Sequence, residues 1–238
     1  MKLLEQIAQN ISFVAVCAAI IAGLALLARI AERWLPSIHR VSAARRVAIV
    51  AVCAALATVL HVLDFPLPFL APDFYKLDFS ELPVMLCGFY LGPSAAVMCE
   101  GIKILLKLLV KGTSTAFVGD FANFAVGCSF VLPAVVLYHI QKSKRSAFWG
   151  LIAGTATLTL FGSAFNAIYL LPKFAQLYGM PLESIIALGN KVNANIHSVT
   201  SFVILAVAPL NLIKGVSVSV LTLLLYKRIA SPLFEIHK

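Results

Sequence analysis

Of the 238 residues, 61% are hydrophobic and 12% charged, whereas a soluble domain is near half apolar and about a quarter charged, so water cannot be the main solvent of this chain. The formal net charge of +9 would suit a nucleic-acid binder, but the Lys and Arg gather in clusters between apolar runs, a membrane-topology pattern that argues against nucleic acid as partner. The runs recur at about 20 residues, enough to cross a hydrocarbon core of about 30 Å as a helix. The fold class expected is all-α, a polytopic membrane helix bundle lying in the lipid bilayer.

In chain order the spans fall at 8–30, 44–63, 82–94, 95–111, 119–141, 148–171 and 209–229. The first resembles a signal peptide in position only: a signal carries its positive charge before the apolar run, and here Arg29 and Arg33 follow it. It reads as a retained span. The third, at about 20 Å, falls short of a full crossing, and Leu91-Gly92-Pro93 turns it directly into the fourth. For the last span, Pro209 suits a first helical turn, where its missing N–H is not needed. A helix starting there leaves 172–207 as a connection with its own helical part, and a single longer helix kinked at Pro209 is the alternative.

Three basic regions fix the orientation. Arg29, Arg33, Arg40, Arg45 and Arg46 form one, Lys142, Lys144 and Arg145 another, and Lys227, Arg228 and Lys238 the third. The positive-inside rule makes them cytoplasmic, with the N-terminus outside and the C-terminus cytoplasmic. The connections 64–81, 112–118 and 172–207 then face outward. The first carries Asp64, Asp73, Lys76, Asp78 and Glu81 with Pro66, Pro68 and Pro72, a stiff, charged, non-helical loop of a kind that is more often functional than filler.

Polar side chains inside spans are costly and face a cavity or the bundle interior. Asp120, Asn123, Asn166, Asn211 and Lys214 all fall toward the outer ends of their spans, and Asn211 and Lys214 share a helix face at i, i+3. They suit a pocket for a polar-edged ligand, or else asparagines that tie helices together. Glu100, Lys103 and Lys107 also share one face, as structural ion pairs or as an ion relay. Ala44, Ala48, Ala51 and Ala55 form a small-residue face that permits close helix approach, within the bundle or against another membrane subunit.

Catalytic and metal signatures are absent. There is no HExxH, GxSxG or GxxxxGK[ST] motif, so the chain is not expected to be an enzyme or to power uphill transport by hydrolysing ATP itself. The five cysteines sit in apolar runs without metal-like spacing, and no histidine pair has metal-ligand spacing.

Several segments in this order resemble a known family: Lys76-Leu77-Asp78-Phe79-Ser80-Glu81-Leu82-Pro83, then Gly88-Phe89-Tyr90-Leu91-Gly92-Pro93, then Gly119-Asp120-Phe121-Ala122-Asn123-Phe124, then Asn166 with Leu171-Pro172, and Ala208-Pro209-Leu210-Asn211-Leu212-Ile213-Lys214-Gly215. The chain over 44–230 resembles the riboflavin-specific S components of energy-coupling factor (ECF) transporters, the RibU type. The resemblance implies a six-helix substrate-binding subunit in the plasma membrane of a bacterium. It would capture riboflavin or a close flavin from outside and work with a transmembrane T subunit and two cytoplasmic ATPase subunits. Riboflavin would be the transported ligand and not a cofactor, of which none is expected. Asn166, Asn211 and Lys214 would bond the polar edge of the flavin ring. The Lys76–Glu81 loop, with Asp78 and Phe79, and the turn from Asp120 to Asn123 would cover or contact it, and Ala44, Ala48, Ala51 and Ala55 would dock the T subunit. Phe79, Phe121, Phe124, Phe165 and Tyr169 lie near the expected pocket, where an apolar slot with a few amides suits a flavin, although an aromatic in a span is more often simply packing. The span at 8–30 is additional to the six-helix pattern, giving residues 1–40 as an extra helix with a basic linker and 41–238 as the substrate-binding domain. A stand-alone ion- or proton-coupled carrier using Glu100, Lys103 and Lys107 is the alternative.

Overall fold

The computed structural model describes residues 2–35, 41–113, 115, 117–177 and 179–233; Arg40 and Lys238 lie outside them. Among the described residues five helices are long and apolar enough to cross a membrane: Ala15–Trp34 within α1 (Lys2–Trp34), α2 (Ala43–Val62), α5 (Val118–Gln141), Lys144–Gln176 and Val199–Tyr226. Between α2 and α5 stand the short α3 (Glu81–Leu91) and α4 (Pro93–Lys111). Gly92 has φ 102°, a conformation that favours glycine, and Pro93 opens α4 at its first position. That pair reverses the chain at the Leu91-Gly92-Pro93 turn.

The two long helices near the C-terminus are each one rod with a wide turn in it. α6 (Lys144–Phe165) continues through a π-turn at Asn166–Leu170 into α7 (Leu171–Leu177). After α8 (Leu182–Val192), α9 (Val199–Phe202) continues through a second π-turn at Val203–Val207 into α10 (Ala208–Leu233). Pro209 therefore does not start the last span, as the proline rule alone suggested. The Leu171 N–H donates to the Asn166 carbonyl and the Ala208 N–H to the Val203 carbonyl, both five residues back. Each widened turn ends one residue before a proline, Pro172 or Pro209, whose ring would otherwise press on the carbonyl four residues earlier.

Among the described residues two main cores hold the bundle, with a third, small cluster beneath α1. The larger contains Val84, Met85, Phe89, Phe130, Tyr138 and Tyr226, where Phe89 stacks on Tyr138 with centroids 4.3 Å apart and the Tyr138 and Tyr226 hydroxyls hydrogen-bond at 3.0 Å. The smaller joins Ala71 of the loop to Leu171, Phe174, Ile185, Ile196, Phe202 and Val207 at the opposite end from the basic clusters. α5 and α6 approach closely because Gly150 and Gly154 lie against the Ala134 and Phe130 carbonyls, where a Cβ would collide.

α1 packs at the edge through Ala28, which meets Val97, Ile104, Phe124 and Cys128 of α4 and α5, and Glu32 pairs with Arg46 at 3.5 Å. Ala44, Ala48, Ala51 and Ala55 are all exposed along α2, so among the described residues this small-residue face makes no internal contact. The five cysteines are free thiols, and among the described residues no His, Cys, Asp and Glu group is placed to hold a metal.

Candidate functional site

The loop after α2 is closed by two short antiparallel strands, β1 (Phe65–Pro66) and β2 (Lys76–Leu77), with Phe65 opposite Leu77 and Pro66 opposite Lys76. Asp64 at its root takes both Lys76 at 3.2 Å and Lys111 at 2.7 Å. At its other end Asp78 accepts the Ser80 N–H at 2.8 Å, which shapes the entry into α3. A short polar side chain bonding the backbone two residues on is the usual way such a turn is held.

From this loop an ion-pair chain runs into the bundle. Lys214 of α10 lies 3.1 Å from Asp78 and 3.0 Å from Glu81. Glu81 also meets Lys103 of α4 at 3.3 Å, and Lys103 pairs with Glu100 and donates to Ser80 Oγ at 3.0 Å. Gly127 of α5 leaves the space that the Glu100 carboxylate fills. Burial pushes the Asp78 carboxyl up, but the charge of Lys214, with His61 and Lys103 behind it and the Ser80 hydrogen bond, outweighs burial and holds it below the ordinary carboxylate range. Burial alone raises the Tyr75 phenol.

A cavity of about 410 Å³ opens beneath the loop, within the size range of small-molecule sites. Of the residues expected from sequence, Lys76, Asp78, Asp120, Asn123, Asn166, Asn211 and Lys214 line it. Glu81 stands behind the wall, holding Lys214. Phe79 does not line the cavity; it packs on the larger core and lies 6.2 Å from Phe65. Nor do Phe121, Phe124, Phe165 or Tyr169: Phe165 stacks between Phe161 and Tyr169 and meets Phe121 edge-on, while Phe124 packs beneath α1. The aromatic walls are Phe74 and Tyr75 instead.

Tyr75 reaches across to donate its hydroxyl to Asn166 Oδ1 at 2.5 Å, and Asn166 Nδ2 donates to the Gly162 carbonyl at 2.8 Å. Asn211 lies against the same Gly162, where a Cβ would come within 2.6 Å of its Nδ2. On another wall Lys107 of α4 pairs with Asp120 and donates to the Gly112 carbonyl at 3.0 Å. The sequence reading grouped Lys107 with Glu100 and Lys103, and its membership of the cavity wall was missed. Two atoms of lining residues, Asn211 Nδ2 and Asp120 Oδ2, are buried without a hydrogen-bond partner. Such groups cost about 1–3 kcal/mol each when left unmade, and a bound ligand is a natural way to satisfy them.

The family model of the ECF transporter substrate-specific component matches residues 45–226. The chain belongs to the substrate-specific components of ECF transporters. This S component is 36% identical over 192 residues to a riboflavin transporter, RibU, of Staphylococcus aureus, covering 81% of this chain and 94% of the relative. It is 32% identical over 183 residues to the riboflavin transporter FmnP of Bacillus subtilis, covering 76% and 90%. A solved S component of a bacterial ECF transporter superposes with a TM-score of 0.63 at 34% identity, over 82% of this chain and 100% of that one. The cavity-lining residues lie inside the matched region, and α1 precedes it.

Proposed function

We propose that this S component captures riboflavin, or a close flavin, from the outer face of a bacterial plasma membrane. The observation that carries the reading is the buried Asn211 Nδ2, an unmatched donor set beside Asn166 and Lys214 in a cavity walled by Phe74 and Tyr75. A flavin ring offers a flat apolar body with donor and acceptor atoms along one edge, which suits such a slot. The names of the relatives point the same way.

The basic ends of α1, α2, α5 and α6 lie away from the cavity and face the cytoplasm by the positive-inside rule. The cavity then opens outward, with the N-terminus outside and the C-terminus cytoplasmic. Residues 41–238 form the substrate-binding domain, and 1–40 add a peripheral helix and linker. A transmembrane T subunit docks on the exposed Ala44, Ala48, Ala51 and Ala55, and two cytoplasmic ATPase subunits supply the energy. The reading as an ion-coupled carrier is disfavoured by the placement of Glu100 and Lys103, which are sealed in ion pairs and do not line the cavity.

The test is a titration of riboflavin onto protein purified in detergent without added ligand, followed by quenching of flavin fluorescence. Tight quenching by the parent that weakens in Asn211→Ala and Lys214→Ala supports a flavin site at this wall. A folded parent that does not quench riboflavin overturns the substrate.

A further inference from the structure

The two orphaned atoms of the cavity make opposite demands. Asn211 Nδ2 can only donate, and it sits on the wall where α10 faces Gly162 of α6. Asp120 Oδ2 can only accept while the carboxylate is ionised. It sits in the first turn of α5, beside Lys107 of α4 and the Gly112 carbonyl, where Gly112 and Thr115 rim the cavity. Asp120 is 3% exposed, its Oδ1 is taken by Lys107, and Oδ2 has nothing. A carboxylate oxygen in that state calls for a hydroxyl or N–H from the ligand.

Under the flavin reading, on which this step rests, the ring edge is already met by Asn166, Asn211 and Lys214. The donors left on the ligand are the hydroxyls of its tail. The cations of the site matter as well. Each lysine that lines the cavity already faces a carboxylate: Lys76 and Lys111 share Asp64, Lys107 holds Asp120, and Lys214 holds Asp78 and Glu81. A phosphate on the tail would find those lysines committed and a carboxylate close by, and like charges at short range in a partly buried site repel strongly.

We infer that Asp120 is the specificity-determining residue for the ligand's tail: Oδ2 accepts a hydrogen bond from a tail hydroxyl, and the carboxylate charge disfavours a phosphate ester there. The ring is thus read by one wall and the tail by the other.

The experiment compares three ligands by fluorescence quenching on the full-length protein in detergent: riboflavin, its 5′-phosphate FMN, and lumiflavin, which carries a methyl group in place of the tail. The parent is expected to bind FMN at least about tenfold more weakly than riboflavin, the effect of roughly one strong charge interaction. In Asp120→Asn the ratio of riboflavin to lumiflavin affinity falls about tenfold, the size of a lost charge-assisted hydrogen bond, and the ratio of FMN to riboflavin affinity rises. Equal binding of FMN and riboflavin by the parent overturns the inference without recourse to any variant. A variant that weakens all three ligands in the same proportion also overturns it, because Asp120 would then only support the wall through Lys107. A folded parent that binds none of the three removes the flavin reading itself, a result distinct from unchanged ratios among bound ligands.

Discussion

Lys103 and Lys107 stand one turn apart on the same face of α4, yet one is closed inside the protein and the other opens on the cavity. Lys103 has no exposed side-chain surface and is surrounded by Glu81, Glu100 and Ser80, so its charge is spent on joining α3 to α4. Lys107 keeps about an eighth of its side chain exposed (12%) and holds Asp120 at the cavity wall. Lys214 does both, bracing Asp78 and Glu81 while lining the cavity. The same pairing of lysine with carboxylate is therefore sealed or cavity-facing according to whether a cavity reaches it.

The sharpest way to break this contrast is Lys103→Met. It leaves Glu81 and Glu100 buried without their shared cation, and removing one partner of a buried pair costs about 3–5 kcal/mol. The expected outcome is loss of folded yield in detergent, read by size-exclusion profile and thermal melting. A Lys103→Met protein as stable as the parent would mean that the sealed cluster does not hold the bundle. At the cavity, Lys214→Ala and Asn211→Ala each lower riboflavin affinity by about ten- to a hundredfold, the range for hydrogen bonds that involve a charged or buried group. Quenching titrations measure this, and an unaltered affinity in Lys214→Ala would move Lys214 to the structural side.

Protonation offers a gentler probe. Asp78 titrates below the ordinary carboxylate range in the folded protein, so its contribution is fully present above about pH 4 and is lost only as pH falls through the lower folded value. The loop should therefore stay seated, and flavin binding stay flat with respect to this group, from neutral pH down to about 5. Binding that collapses across that interval, followed by quenching in buffers of constant ionic strength, would show that the Asp78–Lys214 pair does not anchor the loop.

The spans were legible in the sequence because a helix in lipid must satisfy its own backbone over a fixed length, which writes itself as apolar runs. The half-length of α3 was legible too, from Leu91-Gly92-Pro93. Pro209 misled because a proline fits a first helical turn and also follows a π-turn; the choice lies in the backbone register, to which Val203–Val207 give no compositional clue. In the site, Asp120, Asn166, Asn211 and Lys214 could be found because a polar side chain in an apolar run has few reasons to be there. Tyr75 could not, since its bond to Asn166 joins residues 91 positions apart through an irregular loop. Whether Phe79 and Phe165 pack or line the cavity could not be read from sequence: an aromatic fits packing and cavity alike, and only the direction of its side chain decides.

The smallest effect on the isolated protein belongs to the exposed side of α2. Ala44, Ala48, Ala51 and Ala55 share that side with the exposed Val47, Val52, Leu56 and Val59, so a larger residue there meets no neighbour among the described residues. Ala51→Leu should change stability by no more than about 0.5 kcal/mol, the range for surface substitutions, and should leave riboflavin titrations as they are. A helix that packs through small residues needs close backbone approach, however, and a leucine side chain at the centre of the face holds the partner away. The yield of the assembled complex on co-expression with the T and ATPase subunits should drop, while the S component alone is purified in normal amount. Intact assembly would place the docking surface on another helix, and weakened flavin binding by the isolated variant would mean that this face of α2 communicates with the cavity through His61 and the loop it leads into.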